Sequence, residues 1–134
     1  MKTQANASNS HGVGRRKKAV ARVWVKPGTG SVIINGSQYA EYFDTDYNRN
    51  KVVFPLKVTG QEKMFDTLVN VQGGGLSGQA DAVKLGISRA LLALNENLKP
   101  ALRQNGLLTV DDRVKERKKY GQLGARRKFQ FVKR

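Results

Sequence analysis

Between residues 19 and 25 apolar side chains fall at every second position. Ala19, Ala21, Val23 and Val25 share one face, and Arg22 and Trp24 point the other way. Period two is the mark of a strand with one buried side. The turn Lys26-Pro27-Gly28-Thr29-Gly30 follows, then a short apolar run over residues 31–35, and the two runs read as a β-hairpin. Asn35-Gly36 closes the second run, and residues 39–43 fit a short helical turn. Phe65, Thr67, Val69 and Val71 alternate with Asp66, Leu68 and Asn70, a further strand. Residues 48–56 are ambiguous. Val52, Val53 and Leu56 suit a helix, but Pro55 lacks an amide donor and crowds a helix interior.

The period changes after the glycine-rich stretch 73–78. Ala80, Val83, Ile87, Leu91, Leu94 and Leu98 recur at steps of three and four, which is one apolar helical face. A helix over residues 79–94 is predicted, with Gly86 as its weak spot, and a second over 97–104 ended by Gly106. Residues 1–11 are rich in Ser, Asn and Ala without periodicity and read as disordered. Beyond Val110 the core signal stops. Val114, Tyr120, Leu123, Ala125, Phe129, Phe131 and Val132 are too few to build a core, and Gly121 and Gly124 interrupt them. Such a segment orders only against a partner. The expected division is a polar arm over residues 1–13, a small α+β body over 14–112 and a basic tail over 113–134.

Composition narrows the chemistry. The chain has 134 residues, no cysteine and one histidine, His11. A Cys/His zinc site, a disulfide framework and a thiolate nucleophile are excluded. No apolar run approaches the ~18 residues of a membrane span, and the first residues lack the apolar core of a secretory signal. Twenty-five Lys and Arg against ten Asp and Glu leave +15. The charge is unevenly spread: residues 1–26 hold seven cations and no acid, residues 113–134 hold ten cations and one acid, and the stretch between is −1. Two basic ends on a near-neutral body favour a polyanion, because self-repulsion adds nothing to folding. Basic runs at 15–18, 117–119 and 126–127, with five arginines among their nine cations, suit phosphate, through bidentate contacts of the guanidinium. A solvated charge run is the bland alternative.

Gly73 to Gly78 satisfies G-x-G-x-x-G between a strand and a helix, yet no second parallel strand follows to carry a ribose-binding acid. Gln79 and Ala80 stand where a phosphate loop needs Lys and Ser/Thr. Two readings remain: a tight strand-to-helix turn, or helix-start amides that hold one phosphate of an RNA backbone. Asp44-x-Asp46-x-Asn48 opens like a calcium loop, but Arg49 and Pro55 occupy the required glycine and acidic positions, so a polar turn is expected. Thr109 and Asp112 match a capping box for a short basic helix. His11, in a disordered arm, is no positioned base. Tyr120, Phe129 and Phe131 stand among cations, suited either to stacking on bases or to packing against protein. A general architectural nucleic-acid binder, and a nucleotide-binding enzyme using the glycine turn, are the rival readings.

Gly14-Arg15-Arg16-Lys17 leading to Ala21-Arg22-Val23, then Lys26 to Gly30, resembles the opening of the ninth small-subunit ribosomal protein family. Residues 73–80, residues 85–91, Glu116 to Gly121, Ala125-Arg126-Arg127 and the terminal Lys133-Arg134 are similar to that family in the same order, over about residues 12–134. The resemblance implies a non-enzymatic, cofactor-free constituent of the small-subunit head. Its fold would be that of the second domain of the fifth small-subunit protein, with a left-handed β-α-β connection. Head ribosomal RNA would be bound by Arg15, Arg16, Lys17, Lys18, Arg22, Gly74, Gly75, Ser77, Gln79, Arg113, Arg117, Lys118, Lys119, Tyr120, Arg126 and Arg127. Lys128, Lys133 and Arg134 would reach the anticodon stem-loop of transfer RNA in the peptidyl site. Neighbouring head proteins are implied partners, no membrane is, and the setting is a bacterial cytoplasmic ribosome or an organellar one. Three positions depart from the family pattern: Phe129 replaces a usual proline, Val132 a serine and Val110 an arginine.

Overall fold

The alternation over residues 19–25 lies within strand β2 (Ala19–Pro27), whose Ala19, Ala21, Val23 and Val25 are buried. A computed structural model describes residues 10–109, and β2 is internal to its five-stranded sheet. The other strands are β1 (Ser10–Arg16), β3 (Val32–Ile34), β4 (Ser37–Gln38) and β5 (Phe65–Gln72), in the order β1-β2-β5-β3-β4. Helices α1 (Tyr39–Tyr42), α2 (Asp46–Val58), α3 (Leu76–Leu94) and α4 (Lys99–Gln104) complete the fold, with a 3-10 turn at Glu96–Leu98. One core forms where Val23, Val69, Val32 and Ile34 from the sheet meet Ile87 and Leu91 from α3 and Val52 and Leu56 from α2. Each fully buried aliphatic side chain there contributes about 1.5–3 kcal/mol.

The hairpin expected between residues 19–25 and 31–35 does not form. β5 lies between the two strands, antiparallel to β2 and parallel to β3. The cause is Asp66. Its Oδ1 accepts the backbone amides of Thr29, Gly30 and Ser31 at 3.0, 3.1 and 3.0 Å, which ties the turn to the start of β5. The hairpins that do form are β1–β2, turned at Lys17 with φ +55°, and β3–β4, turned at Asn35-Gly36 with φ +51° and +87°. At Asn35-Gly36 both central residues have positive φ, which matches the twist of the flanking strands.

β1 corrects the expected disorder of residues 10–11 and the arm boundary at residue 13. Ser10 to Val13 pair in register with Val25 to Arg22. Its core-facing positions are Gly12 and Gly14, so no apolar alternation announces it. These glycines let α3 lie directly on the strand: a Cβ on Gly14 would overlap the Ala82 carbonyl oxygen, and one on Gly12 the Gly86 carbonyl. From the helix side, a Cβ on Gly86 would stand 2.6 Å from Val23 Cγ2. Gly86 is thus the contact point of helix and sheet, and its cost in helix propensity is offset by close packing.

Residues 48–56 resolve as part of α2. Thr45 Oγ1 accepts the Asn48 amide at 3.3 Å as N-cap, and Asp46 lies in the first turn, so the Asp44-x-Asp46-x-Asn48 stretch is a helix start. Pro55 is accommodated inside the helix with its ring buried. Asp112 of the expected capping box, the short helix it would start, Val110 and the tail lie outside the described residues, as do residues 1–9.

The Asp66 carboxyl is held below the usual aspartate range. The Ser31 amide is the largest cause and that of Thr29 next, with Gly30 and Lys26 acting the same way and desolvation opposing. A lowered folded-state value means this stabilisation is fully present above about pH 4. It is lost as pH falls through the lowered value. Asp66→Asn is expected to be less stable than the parent at pH 7, with the difference shrinking below pH 4. Urea unfolding at pH 7 and pH 3 checks this; a difference that persists undiminished at pH 3 refutes it.

Candidate nucleic-acid interface

The basic run at 15–18 occupies the end of β1 and the β1–β2 turn. The glycine-rich stretch occupies the connection from β5 to α3. The sheet brings the two together. Gly73 (φ +82°) and Gly74 (φ +64°) pass so close to the turn that a Cβ on Gly73 would overlap the Lys18 carbonyl oxygen, and one on Gly74 would stand 3.2 Å from the Ala19 nitrogen. Gly78 in the first turn of α3 faces the Arg16 carbonyl oxygen, which a Cβ there would meet at 3.5 Å, an ordinary van der Waals contact. Gly75 differs from these. It is the N-cap of α3 with φ −97°, and a Cβ there would meet nothing within 4 Å. Packing inside the protein does not require glycine at 75; close approach by an external group would.

Gln79, expected to contact RNA, is placed by the structure inside the fold. Its side chain is buried, with Oε1 accepting the Tyr42 hydroxyl at 2.6 Å and Nε2 donating to the Gly73 carbonyl at 3.1 Å. It fixes the shape of the glycine loop from within. Arg22 stands apart, on the sheet face away from α3, in a shallow depression with Asn35, Asn70 and Gln72. Arg113, Arg117, Lys118, Lys119, Tyr120, Arg126, Arg127, Lys128, Lys133 and Arg134 lie outside the described residues.

Beside the turn a cleft of about 430 Å³ opens between β1, α2 and α3. Arg15, Arg16 and Lys17 line one side, and Ser77 and Asp81 on α3 line the other. Two cations that no motif singled out complete it: Lys51 from α2 and Lys84 from α3. The Asp81 carboxylate meets Lys51 Nζ at 3.1 Å, Arg16 Nε at 3.5 Å and Lys84 Nζ at 3.9 Å. Lys51 also lies over the Tyr47 ring at 4.3 Å. Ser77, Asp81 and Lys84 recur at helical spacing, a polar stripe bordering the apolar face that sequence reading passes over. Lys51 carries no such signal, since α2 folds against α3 only in three dimensions.

Five cations and one acid around an open cleft, with Ser77 from the start of α3 in its wall and the glycine loop against the adjoining turn, form a surface for anions. Among the described residues no group of His, Asp and Glu would hold a metal, and no helix is long and apolar enough to cross a membrane. The class this defines is a small α+β domain with one strongly basic end, of the kind that binds nucleic acid. The profile of the family described as ribosomal protein S9/S16 matches residues 14–134. The chain is 52% identical over 134 residues to the small ribosomal subunit protein uS9 of Anaeromyxobacter sp. (strain K), covering all of both chains. It is 48% identical over 122 residues to that of Cytophaga hutchinsonii, covering 91% of this chain and 95% of the relative. The chain therefore belongs to the ribosomal protein S9/S16 family, a family of structural ribosomal proteins and not of enzymes.

Proposed function

We propose that this chain is a structural constituent of the small ribosomal subunit, in a bacterial cytoplasm as its relatives are bacterial. In this reading the β1–β2 turn, the cleft and the glycine loop bind head ribosomal RNA. Residues 113–134 thread through that RNA, and Lys128, Lys133 and Arg134 approach the anticodon stem-loop of transfer RNA in the peptidyl site. Neighbouring head proteins complete its contacts. The β3-to-β5 crossover through α1 and α2 would be the family's left-handed β-α-β unit.

The observation that carries this reading is the convergence of Arg15, Arg16, Lys17, Lys51 and Lys84 on one cleft beside the glycine loop, although residues 27–112 together carry a net charge of only −1. Gly75 adds to it, as a glycine that packing inside the protein does not require. Phosphate contacts fix position and carry little sequence information, so recognition follows the shape of the RNA. The tail's sequence suits a complementary task. A basic strand enters phosphate-crowded channels closed to a folded domain, and counterion release offsets its ordering.

The full chain is expected to co-sediment with small subunits through a high-salt wash; recovery free or on DNA overturns the assignment. If the tail engages six to eight phosphates, its contribution to the log–log salt slope is about −4 to −7. Deleting Lys133 and Arg134 is expected to leave subunit assembly intact and to weaken transfer-RNA binding at the peptidyl site. Filter binding of transfer RNA to reconstituted subunits measures this, and an unchanged affinity refutes the tail's role.

A further inference from the structure

We propose that Asp81 strengthens RNA binding although it carries the same charge as RNA. It acts as a positioning residue that holds Arg16, Lys51 and Lys84 as one phosphate-binding group. The proposal rests on the RNA-binding reading and adds Lys51 and Lys84 to the interface.

The geometry points to this role. Asp81 sits in α3 with cations from three elements around one carboxylate: Arg16 from β1, Lys51 from α2 and Lys84 one helical turn along. The four side chains are largely withdrawn from solvent, at 14% exposure for Arg16, 16% for Lys51, 31% for Lys84 and 21% for Asp81. Lysine side chains have many rotamers, and three like charges at this separation would otherwise swing apart into water. The carboxylate orders them before any ligand arrives. One acid against three cations leaves the group cationic, and Arg15 and Lys17 extend it along the cleft. A phosphodiester entering there exchanges released counterions for ammonium and guanidinium groups already in place. The chemical class of the ligand is the RNA backbone phosphate.

Charge counting and positioning predict opposite signs. Asp81→Asn raises the net charge by one, so charge alone predicts tighter binding to a polyanion. Positioning predicts weaker binding. The test uses the full chain and purified small-subunit ribosomal RNA in filter binding between 50 and 300 mM KCl. The binding temperature is one at which circular dichroism shows the variants folded. Asp81→Asn is expected to bind about tenfold less tightly, with the log–log salt slope reduced in magnitude by about one to two. A Lys51→Met, Lys84→Met double variant, which keeps the Arg16–Asp81 pair, is expected to reduce the slope by about 1.4–1.8. Equal or tighter binding by Asp81→Asn with an unchanged slope overturns the proposal, and marks Asp81 as a staple of the fold alone. If Asp81→Asn does not fold, the double variant decides, because an unchanged slope there removes Lys51 and Lys84 from the interface. Absence of salt-dependent binding by the parent chain refutes the RNA-binding reading itself and is a separate result.

Discussion

Gly14→Ala is expected to lower the stability of this protein by about 3 kcal/mol, a large fraction of the total for a domain of this size. The added methyl group would coincide with the Ala82 carbonyl oxygen, and the neighbouring Gly86 nitrogen leaves it no lateral escape. Both obstacles are helix backbone, which cannot rotate aside as a side chain would. Relief requires α3 to lift from β1 and β2. That opens the contact holding Ala82, Val83 and Ile87 against Ala21 and Val23. Gly75→Ala is the comparator. Position 75 has open space and φ −97°, so alanine there is expected to cost only what a poorer N-cap costs, about 0.5–1 kcal/mol. Urea-unfolding midpoints of the two variants measure the contrast, and equal midpoints would refute the packing argument. If an RNA phosphate approaches the helix start, Gly75→Ala is in addition expected to weaken RNA binding by more than that small loss of stability explains.

The triple variant Arg15→Gln, Lys17→Gln, Lys18→Gln carries the second large effect. Arg16 is kept because it pairs with Asp81 and helps to hold the cleft. The three substituted residues are exposed, so the fold is expected to survive. If each contacts one phosphate, the exponent of the salt dependence falls by about 2–3, or roughly 100- to 500-fold in affinity at 0.1 M salt. Filter binding to small-subunit ribosomal RNA over a salt series measures both quantities. Parent-like affinity and slope would show that this turn is a solvated charge run and not an interface.

Much of this architecture is legible in the chain, for a physical reason that also marks the limit. Where one face of an element is buried and the other wet, side-chain polarity records its period, so β2, β5 and most of α3 appear directly. β1 escapes because its buried face carries no side chains. Gly12 and Gly14 are selected for the approach of α3, a contact with residues about seventy positions away. Gly86 misleads for the same reason: propensity counts it against the helix, while packing requires it. The hairpin expectation fails because local turn chemistry is silent about Asp66. That carboxylate, more than thirty positions on, takes the three amides of the turn and draws β5 into the gap.

The candidate site divides in a similar way. The charge run at 15–18 and the glycine loop are visible separately, and their order along the chain carries the family resemblance. Their adjacency is a product of the sheet, which sets the β1–β2 turn beside the exit of β5. Gln79 reads as a surface residue of that loop until Tyr42 and Gly73 are seen to take both ends of its amide. Lys51 and Lys84 belong to the near-neutral middle of the chain and join the cleft because α2 packs along α3.

Polarity and charge are properties of each residue, and so the sequence alone determined that a near-neutral α+β body carries two basic ends suited to a polyanion. Which cations share a site, which glycines are contact points and which acid serves as a clamp depend on distances between segments far apart in the chain. Those distances exist only once the core has closed, and the tertiary structure decided them.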